Sequence, residues 1–380
     1  MMSTPLQEKK YWIALAHCEA LTPLYWKRLF DVFPSAEAIW HASQKDLEAT
    51  GITSRVAAEL IALRGTVDPD AAMARMEKEQ LHAVILPEES YPRLLKEITD
   101  PPAVLFFQGV VGAEETVGAL GVVGTRKISS YGHATLPPII AECVGAGLTI
   151  VSGLALGIDG VAHETTIKNS GRTIAVIGSG IDRKNLYPWQ HKQLADRIVG
   201  SGGAIVSEYP PGTPPIAYHF PARNRIISGM SHGVLVCEAP QKSGALITAY
   251  AALDQNREVF AVPGPIQHPN SYGPHDLLKR GAILTTCADD ILRTLTLPIM
   301  QKNTMETKTS TENTAHKNTT PTSATEETLV TILQDDVLHI DELVRRSNLT
   351  AEAIMSTLVL MEMRGLVRHV GNSQYTTHGK

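Results

Sequence analysis

Between Val104 and about Leu295, short runs rich in valine and isoleucine recur, several of them closed by glycine, and each gives way to a stretch of helical periodicity. The runs are Val117 to Val123, Leu148 to Ser152, Thr173 to Ile177, Ala204 to Ser207, Val234 to Cys237, Val259 to Val262 and Ala282 to Leu284. Short, continuously apolar runs suit strands that are covered on both faces. Strands that alternate with helices need crossover connections, and crossovers build a parallel sheet with helices on both sides. The pattern predicts an α/β core: an extended Rossmann-like, doubly wound, mostly parallel sheet.

The flanks read differently. From Tyr11 to about Arg64, apolar clusters are separated by Thr22-Pro23, Phe33-Pro34-Ser35 and Gly51-Ile52-Thr53, each a turn followed by a helix start, and Ser43 is placed to cap a short helix through Leu47. Residues 1–70 are therefore expected to form a helical domain similar to SAM-like or helix-hairpin-helix modules. The glycine pairs with which helix hairpins expose amides to phosphate are missing, which favours an interaction module over an independent DNA-binding one. The core is expected over 71–298, with a connector at 71–103 that carries an amphipathic helix (Ala71 to Gln80) and a short strand (Ala83 to Leu86). From 299 to 325 the chain is rich in Thr and Ser and poor in apolar residues, so a disordered linker is expected. Beyond it, Glu326 to Gln334, Ile340 to Ser347 and Thr350 to Arg364 read as helices, and Leu366 to Val370 with Gln374 to Thr376 as a hairpin. Three helices and a hairpin make a C-terminal winged helix over 326–380.

Charge and missing motifs exclude several functions. A formal net charge of −5 is wrong for a protein that coats duplex DNA by bulk electrostatics, so any nucleic-acid site must be local. No run approaches the roughly 18 apolar residues of a membrane helix, and the polar start Met1 to Lys10 is no signal peptide, so a cytoplasmic protein without membrane contact is expected. Cys18, Cys143, Cys237 and Cys287 lie far apart with no C-x-x-C spacing, which predicts reduced thiols buried as small hydrophobes. The histidines include no H-E-x-x-H, and there is no Walker-type phosphate loop. Gly178-Ser179-Gly180-Ile181-Asp182-Arg183 begins like a dinucleotide fingerprint but ends in arginine where the third glycine belongs. Neither a metal nor a cofactor is expected.

In an open parallel sheet, ligands bind beyond the carboxyl ends of the strands, where loops enter helix N-termini and leave backbone N–H groups unpaired. The informative stretches fall at such places: Gly124-Thr125-Arg126, then Ser152-Gly153 through Gly157 to Asp159, then Gly178-Ser179-Gly180, and Ser243-Gly244 before Ala245 to Ala252 with Thr248 inside it. Small residues there let a ligand approach the main chain, and helix starts attract anions. Cations supply the rest: Arg126, Lys192 just beyond Tyr187-Pro188, and the segment Phe220-Pro221-Ala222-Arg223-Asn224-Arg225. Successive helical residues turn by about 100°, so Arg223 and Arg225 point nearly opposite ways; one can face phosphate and the other is a structural cation. Phe220 either stacks on an unpaired base or packs in the core. Asp159 and His163, one helical turn apart, read as a capping carboxylate and a satisfied partner and not as an acid–base pair.

Gly124-Thr125-Arg126, Ser152-Gly153 to Asp159 with His163, Phe220 to Arg225, Ser243-Gly244-Ala245-Leu246-Ile247-Thr248 and Val262-Pro263-Gly264 stand in an order and spacing that resemble the DprA/Smf family over about Tyr91 to Leu292. The resemblance implies a non-enzymatic protein that binds and protects single-stranded DNA during natural transformation, loads the RecA recombinase onto it, and forms a homodimer through the Rossmann-like domain. It also implies that Arg126 and Lys192 are the main basic contacts, with amides around Gly153 and Gly244 assisting. His191 departs from the asparagine usual before that lysine. The third winged helix carries Glu352 and Glu362 and no basic residue before Arg364, which favours a protein-contact role over groove binding. The rival is a nucleotide-processing hydrolase resembling the lysine-decarboxylase-like phosphoribohydrolases; these need a glutamate at the helix start, where this chain has Ala249, Tyr250, Ala251 and Ala252.

Overall fold

The computed structural model describes residues 6–112, 118–295, 324–333, 338–347, 349–363, 366–371 and 374–377. It divides into two compact units, Met1–Asn303 and Thr304–Lys380.

The first unit opens with α1 (Leu6–Leu15), α2 (Pro23–Val32), α3 (Ala36–His41), α4 (Gln44–Ala49) and α5 (Ser54–Leu63). The expected turns start these helices. Pro23 stands at the first position of α2, and the hydroxyls of Ser35, Ser43 and Thr53 accept from the amides of Ala38, Asp46 and Val56. Each such cap contributes about 1 kcal/mol. Trp12, Trp26 and Phe30 stack nearly parallel between α1 and α2, Trp12 lying 5.2 Å from Trp26 and 4.2 Å from Phe30 between centroids. One apolar core runs from Trp12, Leu29 and Leu60 to Ala175, Ile198 and Ile205 of the sheet domain. The boundary expected at residue 70 is thus a change of architecture across continuous packing.

After α6 (Pro69–Lys78) come β1 (His82–Ile85), α7 (Arg93–Lys96), β2 (Val104–Gly109), β3 (Ala119–Val123), α8 (Ser130–Gly145), β4 (Thr149–Ser152), α9 (Ile158–Lys168), β5 (Thr173–Val176), α10 (Lys192–Gly200), β6 (Ala204–Ser207), α11 (His219–Gly229), β7 (Gly233–Val236), α12 (Gly244–Asp254), β8 (Glu258–Ala261), α13 (Tyr272–Lys279), β9 (Ile283–Leu284) and α14 (Ala288–Leu295). The sheet order is β1-β2-β6-β5-β4-β3-β7-β8-β9. The seven expected strands pair in parallel. β1 and β2 extend the sheet antiparallel beyond β6. β2 was not expected: Pro101-Pro102 marks where it can start, but it is its pairing with β1 on one side and β6 on the other that makes it a strand. Alternate residues along the inner strands enter opposite cores. Leu120 and Val122 of β3 pack with α8, α9 and α14, whereas Ala119 and Val123 pack on the side of α11, α12 and α13.

Chain order reverses at β3, which has β4 on one side and β7 on the other. Loops leaving β3 and its two neighbours diverge there, and the sheet opens a crevice at its carboxyl edge. Of the cysteines, Cys18, Cys143 and Cys237 are buried as expected, but Cys287 is exposed in the turn between β9 and α14.

The second unit contains α15 (Ala324–Leu333), β10 (Leu338–His339), α16 (Ile340–Ser347), α17 (Ala351–Met363), β11 (Val367–Gly371) and β12 (Gln374–Thr377). β11 and β12 form the expected hairpin, and β10 adds a third strand on the β12 side. Leu329, Leu333, Leu343, Ile354, Leu358 and Met361 give it a core of its own. Up to residue 323, the expected linker lies outside the described residues.

Candidate nucleic-acid interface

A cavity of about 680 Å³ opens at the carboxyl edge of the sheet. Gly124, Thr125 and Arg126 reach it from β3, Asp159 from the β4 side, Phe220, Arg223 and Asn224 from α11, and Ser243, Gly244 and Thr248 from α12. Ten of the residues singled out in the sequence thus meet in one place, although they span more than 120 positions. Gly153 lines a smaller hollow beside it, together with Arg126, Phe220 and Arg223.

The glycines serve two purposes. A Cβ on Gly124 would come within 2.4 Å of Ile158 Cγ1, and one on Gly153 within 2.7 Å of both the Arg223 guanidinium and the Asp159 carboxylate. Gly157 has φ +81°, and a Cβ there would meet the Thr125 carbonyl at 2.3 Å. These three glycines let protein loops pack on one another; they do not clear space for a ligand. Gly244 differs, because a Cβ there would meet nothing within 4 Å. It stands at the first position of α12 behind the N-cap Ser243, whose hydroxyl accepts from the Ala245 amide at 3.3 Å. The start of this helix faces the cavity and carries the partial positive charge that draws anions.

Arg126 is exposed and makes no ion pair among the described residues; its guanidinium lies over the Phe220 ring, 5.9 Å from the centroid. Phe220 is half-buried and also touches Tyr187, at 5.6 Å and a tilt of 58°. The ring therefore seats the arginine side chain, a role between the two expected for it.

The two α11 arginines point apart as helical geometry requires, but neither is free. Arg223 is buried and donates through Nη1 to the carbonyls of Gly153, at 2.7 Å, and Val176, tying the β4 loop to the end of β5. Its Nε has no partner among the described residues, and its guanidinium forms part of the cavity wall. Arg225 is held by Asp100 at 2.9 Å and by both oxygens of Glu208. Arg225 is the structural cation, and Arg223 faces the cavity while serving as a staple. Asn224 donates to the Gly244 carbonyl at 3.1 Å, joining α11 to α12.

Asp159 accepts from the amides of Gly153 (3.1 Å) and Ala155 (3.3 Å), so it caps the loop preceding its own helix. Burial pushes its carboxyl up to about 6, against the pull of Arg223 and those two amides. His163 does not bond to Asp159. The Thr173 hydroxyl donates to the Ile150 carbonyl, so the His163 Nδ1–H donates to that hydroxyl at 2.7 Å. Burial pushes this imidazole down to about 3, which keeps it neutral. Ser152 is likewise internal, donating to the Val122 carbonyl.

Lys192 lies outside this cavity. It opens α10 and lines a separate cavity of about 520 Å³ with Arg75, Asp182, Arg183, Lys184 and Asp196. Lys242, missed in the sequence, is exposed on the rim of the main cavity. Its place directly before Ser243-Gly244 was the available signal. The Thr248 hydroxyl is buried in the cavity wall with no partner among the described residues, and so remains open to a ligand. Arg126, Arg223 and Lys242 face a single carboxylate, Asp159, across this site. The net-acidic chain thus concentrates positive charge where its strand ends and a helix start converge.

A family model described as DNA recombination-mediator protein A matches residues 82–296, more than half of the chain. The chain belongs to this family. A second family model, the DprA winged helix domain, matches residues 313–372. Protein Smf of Synechocystis is 34% identical and aligns over 97% of this chain and 98% of its own length. Protein Smf of Escherichia coli is 44% identical over 68% of this chain and 69% of its own length. Among solved structures, DNA processing protein A of Streptococcus pneumoniae has a TM-score of 0.64 at 34% identity, covering 77% of this chain and 98% of that one. A family member from Helicobacter pylori, described for its single-stranded DNA binding mode, has a TM-score of 0.51 at 28% identity and covers 57% of this chain and 96% of that one. Membership carries a DNA-processing, recombination-mediator role. Among the described residues, no helix is long and apolar enough to cross a membrane.

Proposed function

We propose that the protein binds single-stranded DNA at the main cavity, shields it in the cytoplasm during natural transformation, and passes it to the RecA recombinase as a homodimer. The observation that carries this reading is Arg126, without an ion pair among the described residues and seated on Phe220 at the mouth of a cavity whose far wall is the open start of α12. A cation beside an aromatic ring and bare amides suits a flexible strand with accessible phosphates and bases. Gly153 contributes by holding the Arg223 staple and Gly244 by leaving room, while Lys192 extends the basic surface beyond the cavity.

Affinities for single and double strands of equal length test the reading, and the single strand should bind more tightly. Each phosphate contact should contribute about 0.7 to the slope of log affinity against log salt. Arg126→Ala and Lys192→Ala should each flatten that slope. Wild-type salt dependence and affinity in both variants would remove these residues from the interface.

One observation keeps the hydrolase reading testable: Asp159 is a buried cavity carboxylate whose pKa burial pushes up to about 6. Its oxygen is occupied by two loop amides, which favours the structural role. Release of free base from nucleoside monophosphates, abolished in Asp159→Ala, would establish the enzyme instead.

A further inference from the structure

The chain has four tryptophans. Trp12, Trp26 and Trp40 are buried in the helical module, whereas Trp189 is 69% exposed. Its position is set by a rigid frame. Pro188 before it is buried, Trp189–His191 form one 3₁₀ turn, and the His191 Nδ1–H donates to the Leu154 carbonyl at 2.8 Å. The His191 ring packs so closely on Gly160 that a Cβ there would come within 2.7 Å of it.

What flanks the indole indicates what it is for. Tyr187, 42% exposed, lines both hollows that contain Arg126. On the other side, Lys192 lines the second cavity with Lys184. The acidic groups of that cavity are already engaged: Asp196 by Arg183 at 2.8 Å, Glu79 by Arg75 at 2.9 Å, and Asp182 by Arg75, Asn185 and the Gly212 amide. Lys184 and Lys192 make no ion pair among the described residues, which leaves the rim net positive. Two exposed rings therefore stand, along the chain, between Lys184 and Lys192 of the second cavity, and one of them, Tyr187, lines the cavity of Arg126. Exposed aromatic rings set among cations form the usual platform for unpaired bases, whose phosphates the cations neutralise.

We propose that the Tyr187–Trp189 turn is a base-stacking step over which a single strand passes from the Arg126 cavity to Lys192, with the Trp189 indole taking one unpaired base. This rests on the single-strand reading above. It also accounts for how Arg126 and Lys192 serve one ligand from separate cavities.

Trp189 is the one exposed indole, so the part of the full-length protein's emission that iodide can quench reports on it. A thymidine 20-mer should quench that emission and shield it from iodide, and an abasic strand of equal length should do neither. Trp189→Ala should weaken binding roughly 5- to 150-fold, the equivalent of about 1–3 kcal/mol per stacked base, with an unchanged salt slope, and Trp189→Phe should restore most of it. If the wild type prefers single strands but its indole stays open to iodide at saturation and Trp189→Ala binds normally, the stacking step is wrong and the binding reading stands. If the wild type shows no preference for single strands, both fall.

Discussion

At the scale of single residues, the site is a set of side chains that hold one another before any ligand arrives. Arg223 and Asp159 both crowd the Cα of Gly153, and burial raises the Asp159 carboxyl to about 6. Its folded pKa therefore lies above the unfolded value near 3.9. A raised pKa means the folded state binds the proton more tightly, so the stabilising contribution is complete below about pH 4 and is lost as pH rises through about 6. In urea unfolding, the stability of the wild type relative to Asp159→Asn should fall by on the order of 2–3 kcal/mol between pH 4 and 7. A pH-independent difference would show that the carboxylate is not desolvated. The glycines separate stability from binding. Gly153→Ala must displace Arg223 or Asp159 and should lower the melting temperature, whereas Gly244→Ala meets open space and should fold normally while weakening DNA binding.

At the scale of elements, α12 does two jobs. Its N-terminus faces the cavity, and its outer side presents Ile247, Tyr250 and Leu253, all exposed, at spacings that bring them to one side of the helix. Charged residues would ordinarily occupy such a surface, and an exposed apolar stripe marks a contact site. If the chain dimerises as proposed, this stripe is the candidate contact. Leu253→Arg should convert a dimer to a monomer in sedimentation equilibrium without altering the fold, and an unchanged mass would place the contact elsewhere. α11 shows the complementary design, with Arg223 tied inward to the strand ends and Arg225 tied outward to Asp100 and Glu208, so the helix that carries Phe220 is anchored on both sides.

For the whole molecule, the two units have separate apolar cores. The residues proposed to face DNA all belong to the first unit. Deleting residues 304–380 should leave single-strand affinity within about threefold of wild type, on the grounds that the acidic residues in the third winged helix repel phosphate. Loss of binding on deletion would make the winged helix the DNA reader. A net charge of −5 spread over the chain leaves binding to the local cluster, so the salt slope should be modest, about 0.7 for each of a few phosphate contacts.

Local chemistry was enough to determine the strand–helix alternation, the caps at Ser35, Ser43 and Thr53, the winged-helix pattern and the loops that line the main cavity, because period, turn chemistry and capping act over a few residues. The sequence also determined that Arg223 and Arg225 diverge, since helical rotation is local. Only the tertiary structure decided that both are engaged, that Phe220 seats Arg126, that Lys192 lies in a second cavity, and that Cys287 is exposed. It also decided that β2 pairs with β6, that Lys242 stands on the rim of the main cavity and that Trp189 is exposed. Each of these depends on which distant backbone segment comes within a few ångströms, and that is set by the packing of the whole sheet, not by the neighbours of any residue along the chain.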